Sequence, residues 1–548
     1  MSPLTTPPVL PPHYYLDNFL SIVDVVSTRY SDLLTETETH WLTAFSALPK
    51  NAQLLLVRLL TRKGDWFRCD KLVYPEIPDI ESATTRLSEE GFLIETTQPP
   101  FEIVAKLMTK AELLSLYCHL SIKATLRKPE IIATIVENNN EEAVPPLPTR
   151  FLCLKHDVLP VFLLLYFGNS RQDLSQFVLN DLGIYRFENV RLRPEDRLFT
   201  SREQIADWLF LSSLADLYWE YTEAKEVTSA LKVSQQLPEK PFWPPLTRKW
   251  ERLANKLARE FERQKDEESA QHLFSQSSLP PARERLARIA IKQTRFEDAA
   301  AIVTDMLTAP KNEDEADVAA RIARQLAKKT DCLSPEKAGE AFGSKHITLV
   351  LNERVELESA RHYAQQGWQV WYCENSLLNA LFGLLLWDII FAPVPGAFLN
   401  PFQRAPRDMY STDFTTARRE MIEQRFEALE QGEYDLLAVY DAKFGITNDW
   451  VNWSWAERNM IEAALSTLSP TQIIACIKRI LFDAKSNRAG HPDLFMVKEG
   501  KCQFVEVKGP GDKLQHHQVR WLNFFATHGL SAHTLYVSAD LPKQPVDL

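Results

Sequence analysis

The stretch from Gly490 to Asp512 constrains the fold more than any other, because it reads as two paired strands with chemistry on one face. Leu494 to Val497 is an apolar run, and Val505 and Val507 flank Glu506 in the alternation of a half-buried strand. Lys498-Glu499-Gly500-Lys501 between them has hairpin-turn composition. Side chains alternate with a period of two, so Glu506 and Lys508 share a face, and the neighbouring strand brings Asp493, in Gly490-His491-Pro492-Asp493, beside them. Two carboxylates and an amine are therefore expected to converge.

That convergence suits phosphodiester hydrolysis. Mg²⁺ and Mn²⁺ favour carboxylate, carbonyl and water ligands, and Mg²⁺ typically takes one or two carboxylates plus phosphate oxygens. Asp493 and Glu506 are the expected ligands, with the Val507 carbonyl as a further oxygen, for one or two ions. Lys508 is placed to orient or deprotonate an attacking water. An ordinary hairpin with surface charges explains a lone Pro-Asp or a lone Glu-x-Lys, but accounts less well for both in this order.

Pro-Asp, twelve intervening residues, then Glu-x-Lys at the end of an apolar strand resembles the PD-(D/E)xK nuclease pattern. The longer string Glu506-Val507-Lys508-Gly509-Pro510-Gly511-Asp512-Lys513-Leu514, followed by His517-Gln518 and Trp521-Leu522, resembles the VRR-NUC branch and, within it, a bacterial member of the Fanconi-associated nuclease family. The resemblance implies a structure-selective DNA nuclease with 5′ flap endonuclease and 5′–3′ exonuclease activity in interstrand cross-link repair. It also implies a third acid from an early helix, for which Glu374 is the expected residue and Glu358 the second choice. Gln518 is expected to hold a phosphate oxygen or the nucleophilic water, Asp512 and Lys513 match the family's turn, and His517 is placed to touch phosphate. A basic pocket for the flap's 5′ phosphate is expected from Arg283, Arg285, Arg288 and Lys292, although the same residues fit a charged outer helix face. The alternatives are a resolvase-like nuclease that cuts four-way junctions, and a non-catalytic helical-repeat repair scaffold.

Charge distribution supports a nucleic-acid partner. The formal net charge is −11, yet between Gln472 and Leu522 nine Lys or Arg, among them Lys485 and Arg488, face five acids. A locally basic segment is expected of a groove that tracks phosphates. The seven cysteines are scattered, suggesting neither disulfides nor zinc and a reducing compartment. No secretory segment opens the chain, and Leu377 to Phe391, which contains Asp388, is shorter than the ~20 residues of a membrane span and reads as a buried helix. No G-x-x-x-x-G-K-[ST] loop appears, so no nucleotide cofactor is expected. Localisation is expected to be cytoplasmic and nucleoid-associated if the source is bacterial, nuclear if eukaryotic.

At 548 residues the chain needs several domains. Tyr14 to Ala47 reads as helical. Asn51 to Leu60 (helix), Trp66 to Val73 (extended), Ile80 to Glu89 (helix) and Gly91 to Ile94 (strand) resemble a winged helix that either contacts DNA backbone or packs protein. Lys110 to Leu114 and Lys128-Pro129-Glu130-Ile131 resemble a SAP helix-turn-helix, and Asn138 to Pro148 reads as a linker. Phe151 to Leu198 reads as an apolar helical block. From there to Lys329, successive helices (Ile205–Ser229, Leu246–Phe274, Ala282–Lys292, Phe296–Leu307, Glu315–Lys328) resemble tetratricopeptide hairpins without a clean 34-residue period, a surface for protein partners. The expected architecture is multidomain and mainly α: an N-terminal winged-helix/SAP-like DNA-binding region (1–145), a helical linker with TPR-like repeats (146–345), and a C-terminal α/β nuclease domain with a mixed sheet (346–548). Branched or flapped DNA is the expected partner.

Overall fold

The computed structural model describes residues 12–138, 147, 149–172, 174, 185–330, 339 and 341–539. They fall into two compact units, residues 1–185 with 199–202, and 186–198 with 203–548. The expected linker at 138–148 lies largely outside the described residues.

In the first unit, helix starts follow their caps. Thr35 accepts a hydrogen bond from the Glu38 backbone N–H at 3.3 Å, while the Glu38 carboxylate accepts one from the Thr35 N–H at 2.9 Å, opening the helix Glu36–Ala47. Tyr14–Arg29 and Lys50–Leu60 accompany it. Their apolar faces meet around Trp41, which stacks on Phe45 and meets Phe19, Phe92 and Phe162 edge-on. The helix Leu159–Phe167, apolar on nearly every side, is buried. The strands β1 (Trp66–Arg68) and β2 (Leu93–Thr96) were expected to form a wing directly. Instead β3 (Phe151–Leu154) lies between them, antiparallel to both. Phe-Leu-Cys-Leu is an unbroken apolar run, which periodicity alone cannot assign to strand or helix, and Phe151–Leu154 is a strand where a helical block is expected. The boundary expected after residue 145 moves for the same reason. Phe151 and Leu152 are fully buried in this sheet, and the first unit runs on to 185.

The helical series of the second unit comprises Pro244–Arg263, Glu267–Ser275, Ala282–Lys292, Phe296–Thr308 and Glu313–Leu326. The single helices expected over Ile205–Ser229 and Leu246–Phe274 are each two, Arg202–Glu223 with Val227–Lys232 and Pro244–Arg263 with Glu267–Ser275. What recurs is a turn. Lys225, Lys265 and Thr294 each take the left-handed conformation (φ 60°, 66° and 60°), and the next residue's N–H bonds back to the carbonyl of Tyr221, Phe261 or Ala290. These turns are unevenly spaced, which is why no fixed period shows in the sequence.

The nuclease-like region is built on a five-stranded mixed sheet of β4 (Gly343–Leu349), β5 (Gln369–Tyr372), β6 (Leu494–Lys498), β7 (Lys501–Lys508) and β8 (Ala532–Ala539), in the order β4-β8-β7-β6-β5. β6 is antiparallel to both β5 and β7, whereas β7-β8 and β8-β4 are parallel. β4 forms the edge beyond β8. One face packs Leu494, Val505, Val507 and Leu535; the other packs Phe495 and Phe504 against the helices. Leu377–Phe391 breaks into Leu377–Leu385, buried throughout, and Trp387–Ile390. Among the described residues no single helix is long and apolar enough to cross a membrane.

Candidate active site

β6 and β7 pair with Leu494 opposite Val505, so Asp493, one residue before β6, falls across from Glu506. The Asp493 Oδ2 accepts a hydrogen bond from the Val507 N–H at 2.8 Å, and its carbonyl accepts one from the Cys373 N–H at 2.8 Å. The loop ahead of β6 is thereby stitched to both neighbouring strands. Lys508 Nζ lies 2.7 Å from Glu506 Oε1, pairing the charges without a directed hydrogen bond. Asp493, Glu506 and Lys508 converge as the alternation predicts.

Their burial is the informative part. Glu506 is 0% exposed, Asp493 7% and Lys508 8%. Among the described residues Glu506 Oε1 has only the Lys508 ammonium and Oε2 has no hydrogen-bond partner, and a buried acceptor left without one costs about 1–3 kcal/mol. Burial and then the Asp493 charge push the Glu506 carboxyl up to about 8, against the opposing pull of Lys508. Burial, then the nearby Glu374 charge, raise Asp493 to about 6, opposed by the Val507 N–H and Lys508. Two carboxyls that resist ionisation, with free oxygens and no protein cation able to satisfy both, form a donor set matched to a divalent ion. In the protein alone, no cluster of three or more His, Cys, Asp or Glu is arranged as a preformed metal site among the described residues.

Glu374 stands immediately before the Leu377–Leu385 helix, next to the left-handed Asn375 (φ 52°). Its Oε2 accepts a hydrogen bond from the Tyr372 hydroxyl at 2.5 Å, and Arg354 braces that tyrosine at 2.9 Å. The alternative acid, Glu358, pairs with Arg361 at 3.0 Å.

On the other side, the helix His516–Thr527 carries His517 and Gln518. Gly490 has φ +88°, and a Cβ there would run into the His517 ring and backbone. Burial, then Arg520 and Lys508, hold the His517 imidazole below its usual range, favouring the neutral form. Gln518 Oε1 accepts from the Gln515 N–H at 2.9 Å, so that oxygen caps its own helix. Asp512 Oδ2 accepts from the Gly509 N–H at 3.0 Å and shapes the turn after β7, and Lys513 is exposed beside it. Lys485 is exposed without an acidic partner among the described residues. Arg488 donates to the Tyr410 hydroxyl at 2.7 Å and lies over the Tyr410 and Trp450 rings.

The expected phosphate cluster on Ala282–Lys292 is differently arranged. Arg283 forks onto Glu315 (3.0 and 2.6 Å), Arg285 pairs with Glu262, Arg288 with Glu284 at 2.7 Å, and Lys292 with Glu267. Each cation already has a carboxylate. Charge without an acidic partner lies instead on the helix Pro244–Arg263, which sequence reasoning missed: Arg248 is paired with Asp413, but exposed Arg252 and Lys256 have no acidic partner among the described residues. Their i, i+4 spacing was visible in the sequence as a basic stripe.

Residues 13–94 match the family model "FAN1, HTH domain" and residues 430–539 the VRR-NUC domain. A Fanconi-associated nuclease 1 homolog of Pseudomonas aeruginosa is 34% identical over 98% of this chain and 97% of its own length. The rice (Oryza sativa subsp. japonica) homolog and human Fanconi-associated nuclease 1 are each 25% identical over 96% of the chain, which spans 62% of their lengths. A crystal structure of paFAN1 bound to 2-nt 5′-flap DNA with a gap superposes with a TM-score of 0.81 at 33% identity, covering 98% of this chain and all of that one. A second, with a 1-nt flap, gives 0.77 over 97%. A full-length relative above 30% identity and one shared fold place the acid-acid-lysine hairpin in a known context: the chain belongs to the Fanconi-associated nuclease family.

Proposed function

We propose that this protein is a divalent-metal-dependent nuclease that cuts DNA at 5′ flaps, degrades 5′ to 3′, and serves interstrand cross-link repair. The observation that carries the reading is the fully buried Glu506 carboxylate, opposite Asp493 and with Lys508 at one of its oxygens. Support for the substrate comes from the likeness to paFAN1, whose structure holds 5′-flap DNA.

Asp493 and Glu506 would hold the ion, with Glu374 and the Val507 carbonyl as further oxygens. When bound, Mg²⁺ or Mn²⁺ supplies a water of lowered pKa and neutralises charge developing on the phosphate. The chain's own residues set the rest. Asp493 is held by the Val507 N–H and cannot swing away. Lys508 Nζ, fixed against Glu506, donates toward an attacking water or the phosphate oxygen and moves no farther than its buried stem allows. Burial of all three side chains keeps bulk water from screening these charges. Arg252, Lys256, Lys485 and Lys513 offer exposed positive charge for the DNA backbone, a contact that positions without reading sequence.

A digestion panel in Mn²⁺ with end-labelled 5′ flap, 3′ flap, nick and four-way junction tests the reading. Cleavage concentrated near the 5′ flap supports it. Symmetric paired cuts in the four-way junction would favour a resolvase, and no cleavage of any substrate would leave a DNA-binding scaffold.

A further inference from the structure

Glu313 is a buried carboxylate, 6% exposed, at the first position of the repeat helix Glu313–Leu326, and its partners lie in the nuclease-like region. Its Oε1 accepts a hydrogen bond from Asn487 Nδ2 at 2.9 Å and sits 2.9 Å from the Arg479 guanidinium; Oε2 lies 3.8 Å from Arg520. Its own N–H donates to Asp483 Oδ2 at 3.1 Å, so a nuclease residue caps the repeat helix. One helical turn on, Asp317 takes a second contact from Arg520 at 3.0 Å. Two arginines and two acids thus close the seam.

The partners of Glu313 are the residues that hold the catalytic loop. Asn487 O makes a hydrogen bond with His491 Nε2 at 2.9 Å, and the buried His491 ring meets Trp521 edge-on, with the Arg479 guanidinium over that indole, 5.1 Å from its centroid. The His491 N–H donates to Asn375 Oδ1 at 3.1 Å, beside Glu374. Two residues after His491 comes Asp493. A short chain of directed contacts therefore runs from the repeat helix to both expected ligand acids.

We propose that Glu313 is a positioning residue for the cleavage centre, making the repeat helix part of the support that fixes Asp493 and Glu374. It touches neither substrate nor ion. The proposal rests on the nuclease reading only where it concerns rate, because loop order can be read without turnover.

The test uses the full chain with Glu313→Ala and Glu313→Gln. The amide keeps an oxygen for Asn487 and loses the charge. Supporting contacts of this kind are typically worth about 10–100-fold when removed. Glu313→Ala is expected to lower the single-turnover rate on 5′-flap DNA by roughly 10–100-fold, with the Kd for that DNA within about threefold and with faster hydrogen exchange confined to residues 484–493. Glu313→Gln is expected to restore at least a third of the wild-type rate and the protection of that loop, a rescue that loss of bulk packing would not give. Asn487→Ala, which leaves the Glu313–Arg479 pair in place, should reproduce the local exchange and rate loss even if Glu313→Ala does not fold. Wild-type rate and protection in Glu313→Ala or Asn487→Ala overturn the proposal, as does exchange that rises equally across β7 and β8. If wild-type protein cuts no DNA, the nuclease reading fails while the exchange data still judge the seam.

Discussion

Replacing Glu506 by Gln turns the buried carboxyl into a direct thermodynamic probe. Its folded value of about 8 lies above the ordinary 4.5, so the folded state holds a proton that the unfolded chain has released. The sign follows from that. Below pH 4.5 both states are protonated and the site costs nothing in charge. As pH rises through 4.5 the unfolded chain ionises freely while the folded one cannot, and stability falls until the pH passes 8. Each pH unit in that window is worth about 1.4 kcal/mol, so by pH 7 the metal-free protein has lost about 3 kcal/mol at this one site. Glutamine never ionises and removes the pH-dependent part, while its amide cost is the same at every pH. Denaturation in EDTA at intervals between pH 4.5 and 8, followed by near-ultraviolet circular dichroism, should show the two proteins converging at the acid end. Glu506→Gln should gain on wild type steadily through the window, by up to about 1.4 kcal/mol per pH unit. Parallel curves would refute the buried, proton-holding carboxyl on which the metal assignment stands.

Further outcomes follow from the same geometry. Because a cation must displace the Glu506 proton, Mn²⁺ affinity should rise by up to about tenfold per pH unit from pH 6 to 8, and calorimetry in buffers of different ionisation enthalpy should record close to one proton released at pH 7. A pH-independent affinity would contradict this. Lys508→Met removes the charge 2.7 Å from Glu506. Cleavage should fall by about 100-fold or more, and the acid limb of the pH–rate profile should move upward, since the remaining influences on Glu506 all raise it. An unshifted limb would count against the pairing. Gly490→Ala forces a Cβ into His517 at φ +88°, so it should destabilise the protein by about 1–3 kcal/mol, seen as a lower urea midpoint; an unchanged midpoint would show that the loop yields.

What the sequence made legible was local. The helices Ile80–Glu89 and Ala282–Lys292 have the bounds their periodicity predicts. The hairpin register follows from the alternation around Glu506, because a one-residue slip would turn the acids into the opposite apolar layer. What stayed hidden depends on partners distant in the chain. β3 enters between β1 and β2 from beyond the expected linker. Arg283, Arg285 and Lys292 looked available for phosphate until Glu315, Glu262 and Glu267 arrived from neighbouring helices. Glu313 carried no motif at all, and its value comes from Arg479, Asn487 and Arg520 across a packed seam. The burial that lifts Asp493 and Glu506 is likewise a property of the packed sheet, invisible in Pro-Asp or Glu-Val-Lys alone.

The most direct test combines binding and cleavage on one sample of Glu506→Ala. With end-labelled 5′-flap DNA in Mn²⁺, wild type is expected to cut and to stop in excess chelator, while the variant binds the same DNA with a similar Kd and leaves it intact. Cleavage that persists in the variant, or in wild type stripped of divalent ions, would contradict a centre built on Asp493, Glu506 and Lys508.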